Sequence, residues 1–171
     1  MDFERYIRDI PDFPKEGVVF KDITPLLASP EGFAGVIDEI AEAYTDAGVT
    51  KVIGAEARGF ILGGALAYRL GAGFVPARKP GKLPWTIQAH SYELEYGTDS
   101  LEVHIDAVGP EDVVLIVDDV LATGGTAAAK RALVESMGAR TAGFAFLIEL
   151  DFLAGRERLG DARVVSLIHV A

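Results

Sequence analysis

The stretch "VVLIVDDVLATGGTA", Val113 to Ala127, decides how this chain is read. Five apolar residues lead into Asp118 and Asp119, and then into a turn of small residues. A run without polar alternation is the mark of a strand buried on both faces, which parallel sheets covered by helices on two sides provide. In open sheets of that kind ligands sit beyond the carboxyl ends of the strands, where loops lead into helices. "DDVLATGGT" falls at that place.

Outward from this segment the alternation of strand and helix recurs. In "SPEGFAGVIDEIAEAYTDAG", Ser29 stands as an N-cap and Pro30 at the first helical position, which predicts a helix running to Gly48. "KVIGAEA" (51–57) reads as a short buried strand, "RGFILGGALAYRLG" (58–71) as a helix ending at Gly71, and "GFVPA" (73–77) as another strand. "DVVLIVDD" (112–119) is a strand, "GTAAAKRALVESMGA" (125–139) a helix, and "RTAGFAFLIEL" (140–150) and "ARVVSLIHV" (162–170) are strands. The fold class is α/β, a mostly parallel twisted sheet flanked by helices. Between Arg78 and Asp106 the pattern changes to two extended segments around "YGTDS", which predicts a hairpin or flap over 78–106. The first 27 residues lack the alternation and predict a small hood over the sheet's edge. With 171 residues and 50% hydrophobic content, the chain reads as a single domain spanning 1–171.

Sixteen basic residues stand against 26 acidic ones, a formal net charge of -10. A phosphate-backbone partner needs a basic face, so nucleic acid is not expected. There are no cysteines, which rules out a disulfide framework and thiolate metal sites. "MDFERYIRDIPDF" has neither a basic leader nor a long apolar core, and no later apolar run reaches the roughly 18 residues of a membrane span. The expectation is a soluble, cytoplasmic protein without a membrane partner. In so acidic a chain, a local cluster of cations carries more meaning than it would elsewhere.

Side chains alternate along a strand, so Asp118 and Asp119 point to opposite faces unless the chain turns there. A turn could aim both at one ligand, and paired carboxylates accept hydrogen bonds well from a vicinal diol such as that of ribose. Ala122, Thr123, Gly124, Gly125 and Thr126 have little bulk, so their N–H groups can converge on a phosphate at the start of the next helix. The alternative is that Asp119 or Thr123 caps the helix and the two glycines merely make the turn. The chain holds no G-x-x-x-x-G-K-[ST] and no G-x-G-x-x-G after a strand, which disfavours a P-loop nucleotidase and a dinucleotide site. "EARGF" puts Arg58 at a second strand-to-helix switch. "RKPGKLP" sets Arg78, Lys79 and Lys82 within five residues on a Gly/Pro loop, a local anion trap.

"VVLIVDDVLATGGT" resembles the phosphoribosyl pyrophosphate signature of the type I phosphoribosyltransferases. "FPKEGVVFKDITPLL", "EARGF", "RKPGKLP" and "SYELEYG", in that order, are similar to the adenine-specific branch of that family and cover most of Phe13 to Thr126. The resemblance implies reaction of adenine with phosphoribosyl pyrophosphate, assisted by Mg²⁺, to give AMP and pyrophosphate. By the same resemblance Asp118 and Asp119 hold the ribose hydroxyls, and Ala122 to Thr126 cradle the 5'-phosphate. Arg58, Lys79 and Lys82 face the pyrophosphate, and Arg78 reaches toward the partner subunit of a homodimer. Adenine is read by the backbone of Val19 and Lys21, between Phe20 and Val120. Glu95 acts as acid/base near N7 of the base, and Tyr96 helps close the site.

Three positions depart from the family pattern. Trp85 stands where many relatives carry a charge, Val120 where leucine is frequent, and Lys21 where arginine is common. His90, His104 and His169 are dispersed and receive no chemical role. Two other functions fit the same residues: transfer to hypoxanthine, guanine or xanthine, and a non-catalytic regulator that binds nucleotide. The acidic charge and the retained "LEYG" argue against the regulator.

Overall fold

A computed structural model describes residues 1–93 and 97–171. Its centre is a parallel sheet of β3 (Lys51–Ala55), β4 (Gly73–Ala77), β7 (Val113–Leu121), β8 (Arg140–Leu150) and β9 (Val164–Val170), ordered β4-β3-β7-β8-β9. Val52 pairs with Leu115 and Asp118 with Phe146, so β7 has a strand on either side, and Val113 to Val117 are all buried. That is the burial its unbroken apolar run demands.

Helices α2 (Pro30–Ala43) and α3 (Arg58–Leu70) share one core with Leu115 and Val117 of β7. Helix α4 (Gly125–Ser136) shares the opposite core with Val114 and Ile116. The strand's period of two thus feeds both layers. Ser29 caps α2, accepting a hydrogen bond from Gly32 N–H at 3.1 Å, with Pro30 at the first helical position.

Several ends differ from the sequence reading. Helix α2 stops at Ala43, not Gly48, and Thr45–Ala47 form a 3-10 turn. The cause is Tyr44, whose ring is buried and whose hydroxyl donates to Phe144 O at 2.7 Å; burial pushes its pKa up to about 12. Strand β3 ends at Ala55, α4 at Ser136, and β9 begins at Val164. Strand β7 runs on to Leu121 and takes both aspartates with it.

Near the N-terminus β1 (Arg8–Ile10) pairs antiparallel with β2 (Phe20–Asp22), followed by the short α1 (Thr24–Ala28). Strands β5 (Ile87–Glu93) and β6 (Thr98–His104) form an antiparallel hairpin, anchored by reciprocal backbone hydrogen bonds between Arg78 and Glu102 at 2.9 and 2.8 Å. No helix among the described residues is long and apolar enough to cross a membrane.

Candidate active site

Because β7 stays extended through Asp118 and Asp119, no turn separates them, and their carboxylates meet different partners, as strand alternation requires. Asp118 Oδ2 accepts from Lys130 Nζ of α4 at 2.7 Å, and Asp118 Oδ1 accepts from the Asp119 N–H at 3.1 Å. Asp119 Oδ2 stands 2.8 Å from Nε of Arg58, the first residue of α3. That contact lacks hydrogen-bond alignment, so this buried oxygen has no hydrogen-bond partner among the described residues. Both acids nonetheless border one cavity of about 280 Å³ beyond the strand ends, shared with Glu56, Lys79, Tyr92 and Thr126.

Burial raises the pKa of Asp119 to about 6; the charge of Asp118 pushes the same way, and Arg58 opposes both. The Arg58 guanidinium also lies 5.1 Å over the ring of Phe20, tying the N-terminal strands to the acids. Phe20 is met edge-on by Phe13 at 5.2 Å. Val19 is exposed, and Lys21 pairs with Asp9 in the β1–β2 ladder and donates its ammonium to the same Asp9 at 2.8 and 2.9 Å. Val120 is half-buried on the wall of the cavity.

The turn from Ala122 to Thr126 surrounds a smaller cavity of about 70 Å³. Gly124 adopts φ +81°, and a Cβ there would strike Gly155 O, so a glycine is required by both conformation and space. No side chain among the described residues caps α4, which removes the reading of Asp119 or Thr123 as a mere helix cap. The first N–H groups of α4 are available to an anion at the positive end of the helix.

The cationic loop is held less freely than its sequence suggests. Arg78 donates from Nε and Nη2 to Glu56 at 3.2 Å each, and the Lys79 N–H donates to Glu56 Oε1 at 3.0 Å. These bonds hold the Glu56 carboxyl below its ordinary pKa, Arg78 first. Arg78 is therefore engaged within its own chain. Lys79 Nζ is ion-paired with Asp99 and borders the cavity, whereas Lys82 is exposed on the loop and its charge is felt at Glu56. Tyr92 OH donates to Asp99 Oδ2 at 3.3 Å and accepts from Thr126 Oγ1 at 3.5 Å, so the hairpin touches the turn. Trp85 is exposed with its ring 6.2 Å from that of His104. Glu95 and Tyr96 lie outside the described residues.

Sequence reasoning missed Lys130, Glu56, Tyr92 and Asp99. Lys130 did leave a signal, since it falls at helical spacing between Ala127 and Leu133 on the buried stripe of α4. A further group, Glu149, Asp151 and His169, could hold a cation by its spacing. Its one buried member, Glu149, is already gripped by Arg156 at 2.9 and 2.5 Å.

Known proteins share this sequence and fold. Residues 22–168 match the family model described as phosphoribosyl transferase domain, and the chain belongs to that family. It is 55% identical over 168 residues to an adenine phosphoribosyltransferase of Acaryochloris marina, covering 98% of this chain and 99% of that one. The crystal structure of adenine phosphoribosyltransferase from Thermoanaerobacter pseudethanolicus superposes with a TM-score of 0.95 at 51% identity, covering 99% of this chain and 98% of that chain. The enzyme of Giardia lamblia, solved with 9-deazaadenine, superposes with a TM-score of 0.92 at 42% identity, covering 99% and 97%. Within the family the chain stands with the adenine phosphoribosyltransferases.

Proposed function

We infer the following course for the reaction of this chain, an adenine phosphoribosyltransferase that converts adenine and phosphoribosyl pyrophosphate to AMP and pyrophosphate. Asp118 and Asp119 accept hydrogen bonds from the ribose hydroxyls, and Ala122 to Thr126 with the start of α4 receive the 5'-phosphate. The observation that carries this reading is that the cavity bordered by both acids adjoins the one surrounded by the turn and the uncapped start of α4, the two sharing Asp118, Val120 and Thr126. The base lies against Phe20 and Val120 and is read by the backbone of Val19 and Lys21.

The bond from C1' to pyrophosphate breaks as N9 of adenine, in the tautomer protonated at N7, forms its bond to C1', and the N7 proton passes to the Glu95 carboxylate. The sugar becomes oxocarbenium-like and the departing oxygens gain charge, so Arg58, Lys79 and Lys82 stabilise the transition state more than the ground state. Glu95 is the acid/base at N7, and Tyr96 and the flap exclude the water that would compete for C1'.

The residues present also fit Mg²⁺ brought in on the pyrophosphate. Glu56, Asp99, Asp118 and Asp119 offer hard carboxylate oxygens around the cavity, suited to receive the waters of a hydrated ion. When bound, Mg²⁺ neutralises charge on the departing pyrophosphate. We assign the working form to a cytoplasmic homodimer. Ile61 and Tyr68, two turns apart on α3, are 45% and 90% exposed and give a second copy an apolar face. Arg78 stays with Glu56 in its own chain or reaches across such an interface; exchange of Glu56 for glutamine, followed by the sedimentation profile, separates the two.

Turnover measured with each purine in turn tests the base. AMP formation from adenine, with little product from hypoxanthine, guanine or xanthine, is expected; turnover of guanine but not adenine would reject it.

A further inference from the structure

Lys130 is the most deeply buried charged side chain among the described residues, with 0% exposure. Its neighbours on the inner stripe of α4 are Ala127, Leu133 and Val134. Taking an ammonium out of water is costly, and an apolar side chain of similar length would fill the same space without that cost. A buried ion pair is thus weak evidence of a role in stability, and what the ammonium touches is more telling. Nζ donates to Val117 O at 2.9 Å and to Asp118 Oδ2 at 2.7 Å.

The Asp118 carboxylate is consequently held from three directions. Lys130 takes Oδ2 from α4, the Asp119 N–H takes Oδ1 from the strand, and Gly59 of α3 closes on Oδ1, where an added Cβ would come within 2.8 Å. Each of the two adjacent acids has a cation of its own, Arg58 for Asp119 and Lys130 for Asp118. Without Lys130, Asp118 would swing about its side-chain torsions and carry its charge unopposed beside Asp119.

We propose that Lys130 is a positioning residue for phosphoribosyl pyrophosphate: it locks Asp118 in the rotamer that accepts the sugar hydroxyl before substrate arrives. The proposal rests on the assignment of Asp118 to the sugar. An acid already held in place forfeits little freedom on binding, whereas a loose one must be ordered by the substrate itself. Lys130 touches no reacting atom.

The absence of cysteine in the chain permits a clean test. The variant Lys130→Cys is alkylated in the unfolded state with 2-bromoethylamine, which restores the length and charge of lysine, or with propyl iodide, which restores length alone, and both forms are refolded. The charged form should bind phosphoribosyl pyrophosphate at least about tenfold more tightly than the neutral form, the worth of one charge-assisted hydrogen bond. KM for adenine should differ by less than about twofold, because the base does not touch Asp118. A merely structural lysine would shift the unfolding temperature and leave the two affinities equal, and that result overturns the proposal. Asp118→Asn runs alongside. If it leaves affinity intact while the unaltered chain still makes AMP, the sugar assignment fails; if it weakens affinity while the two alkylated forms agree, only the role of Lys130 fails.

Discussion

The side chain of Arg58 stands between two parts of the crevice that come from distant sequence, with Nε 2.8 Å from Asp119 Oδ2 and the guanidinium over the ring of Phe20 at 5.1 Å. One cation therefore supports both an acid at the end of β7 and an aromatic face of the N-terminal strands. Its charge is also what restrains the pKa of Asp119 from rising further. Arg58→Gln should move that pKa above about 6, so the acid limb of the rate profile with phosphoribosyl pyrophosphate should shift to higher pH. A limb that stays in place would show that Arg58 acts on the pyrophosphate alone.

Asp119 carries its own pH signature. Its carboxyl, ordinarily at 3.8, is raised to about 6, chiefly by burial. The folded chain therefore binds more protons than the unfolded chain between those values, so its stability falls as pH rises through that window. In the proposed sugar-binding role function runs the other way, because protonation turns one acceptor oxygen of the acid into a donor. Affinity for phosphoribosyl pyrophosphate should decline as pH is lowered through about 6, measured by calorimetric titration at several pH values.

Asp119→Asn separates the two effects. Removing a buried charge should hold or raise the unfolding temperature at pH 7.5 while weakening phosphoribosyl pyrophosphate binding, the trade of stability for function that binding sites show. A variant that loses both together would mean that Asp119 serves the fold.

Gly59→Ala places a methyl group against the Asp118 carboxylate, which gives way only by straining its bond to Lys130. The expected cost is roughly 1 to 3 kcal/mol, as for overpacking. It should appear in substrate affinity as well as in thermal unfolding, since the displaced group is Asp118. Unchanged affinity in a destabilised variant would mean that the backbone yields instead.

For Glu95→Gln the expectation is a fall in kcat of about 10² to 10⁴ with phosphoribosyl pyrophosphate affinity nearly unchanged, the signature of general acid/base catalysis. Rapid-mix single-turnover assays measure the chemical step directly. Equal losses in binding and turnover would refute the assignment.

Strands β4 and β8 have the bounds that periodicity predicts, 73–77 and 140–150, because a buried strand is specified by its own apolar run. The place of the crevice was legible for a related reason: the acids and the bare turn stand toward the carboxyl end of a buried strand, where the loop leads into a helix. The course of β7 past Asp119 was not legible, because the ladder to β8 continues through Val120↔Ile148 and Leu121↔Glu149 and overrides the local pull of acids toward a turn.

Sequence by itself determined the α/β architecture, the place of the two acids and the bare turn between a central strand and its helix, and the family, since each is written in residues close together along the chain. Tertiary structure alone decided that Lys130 meets Asp118, that Glu56 gathers Arg78 and the backbone of Lys79, and that Tyr92 reaches Thr126. Those partners lie 12 to 34 residues apart and come together only when helices fold back across the sheet. Burial then sets how strongly each charge is felt, and no local pattern encodes it.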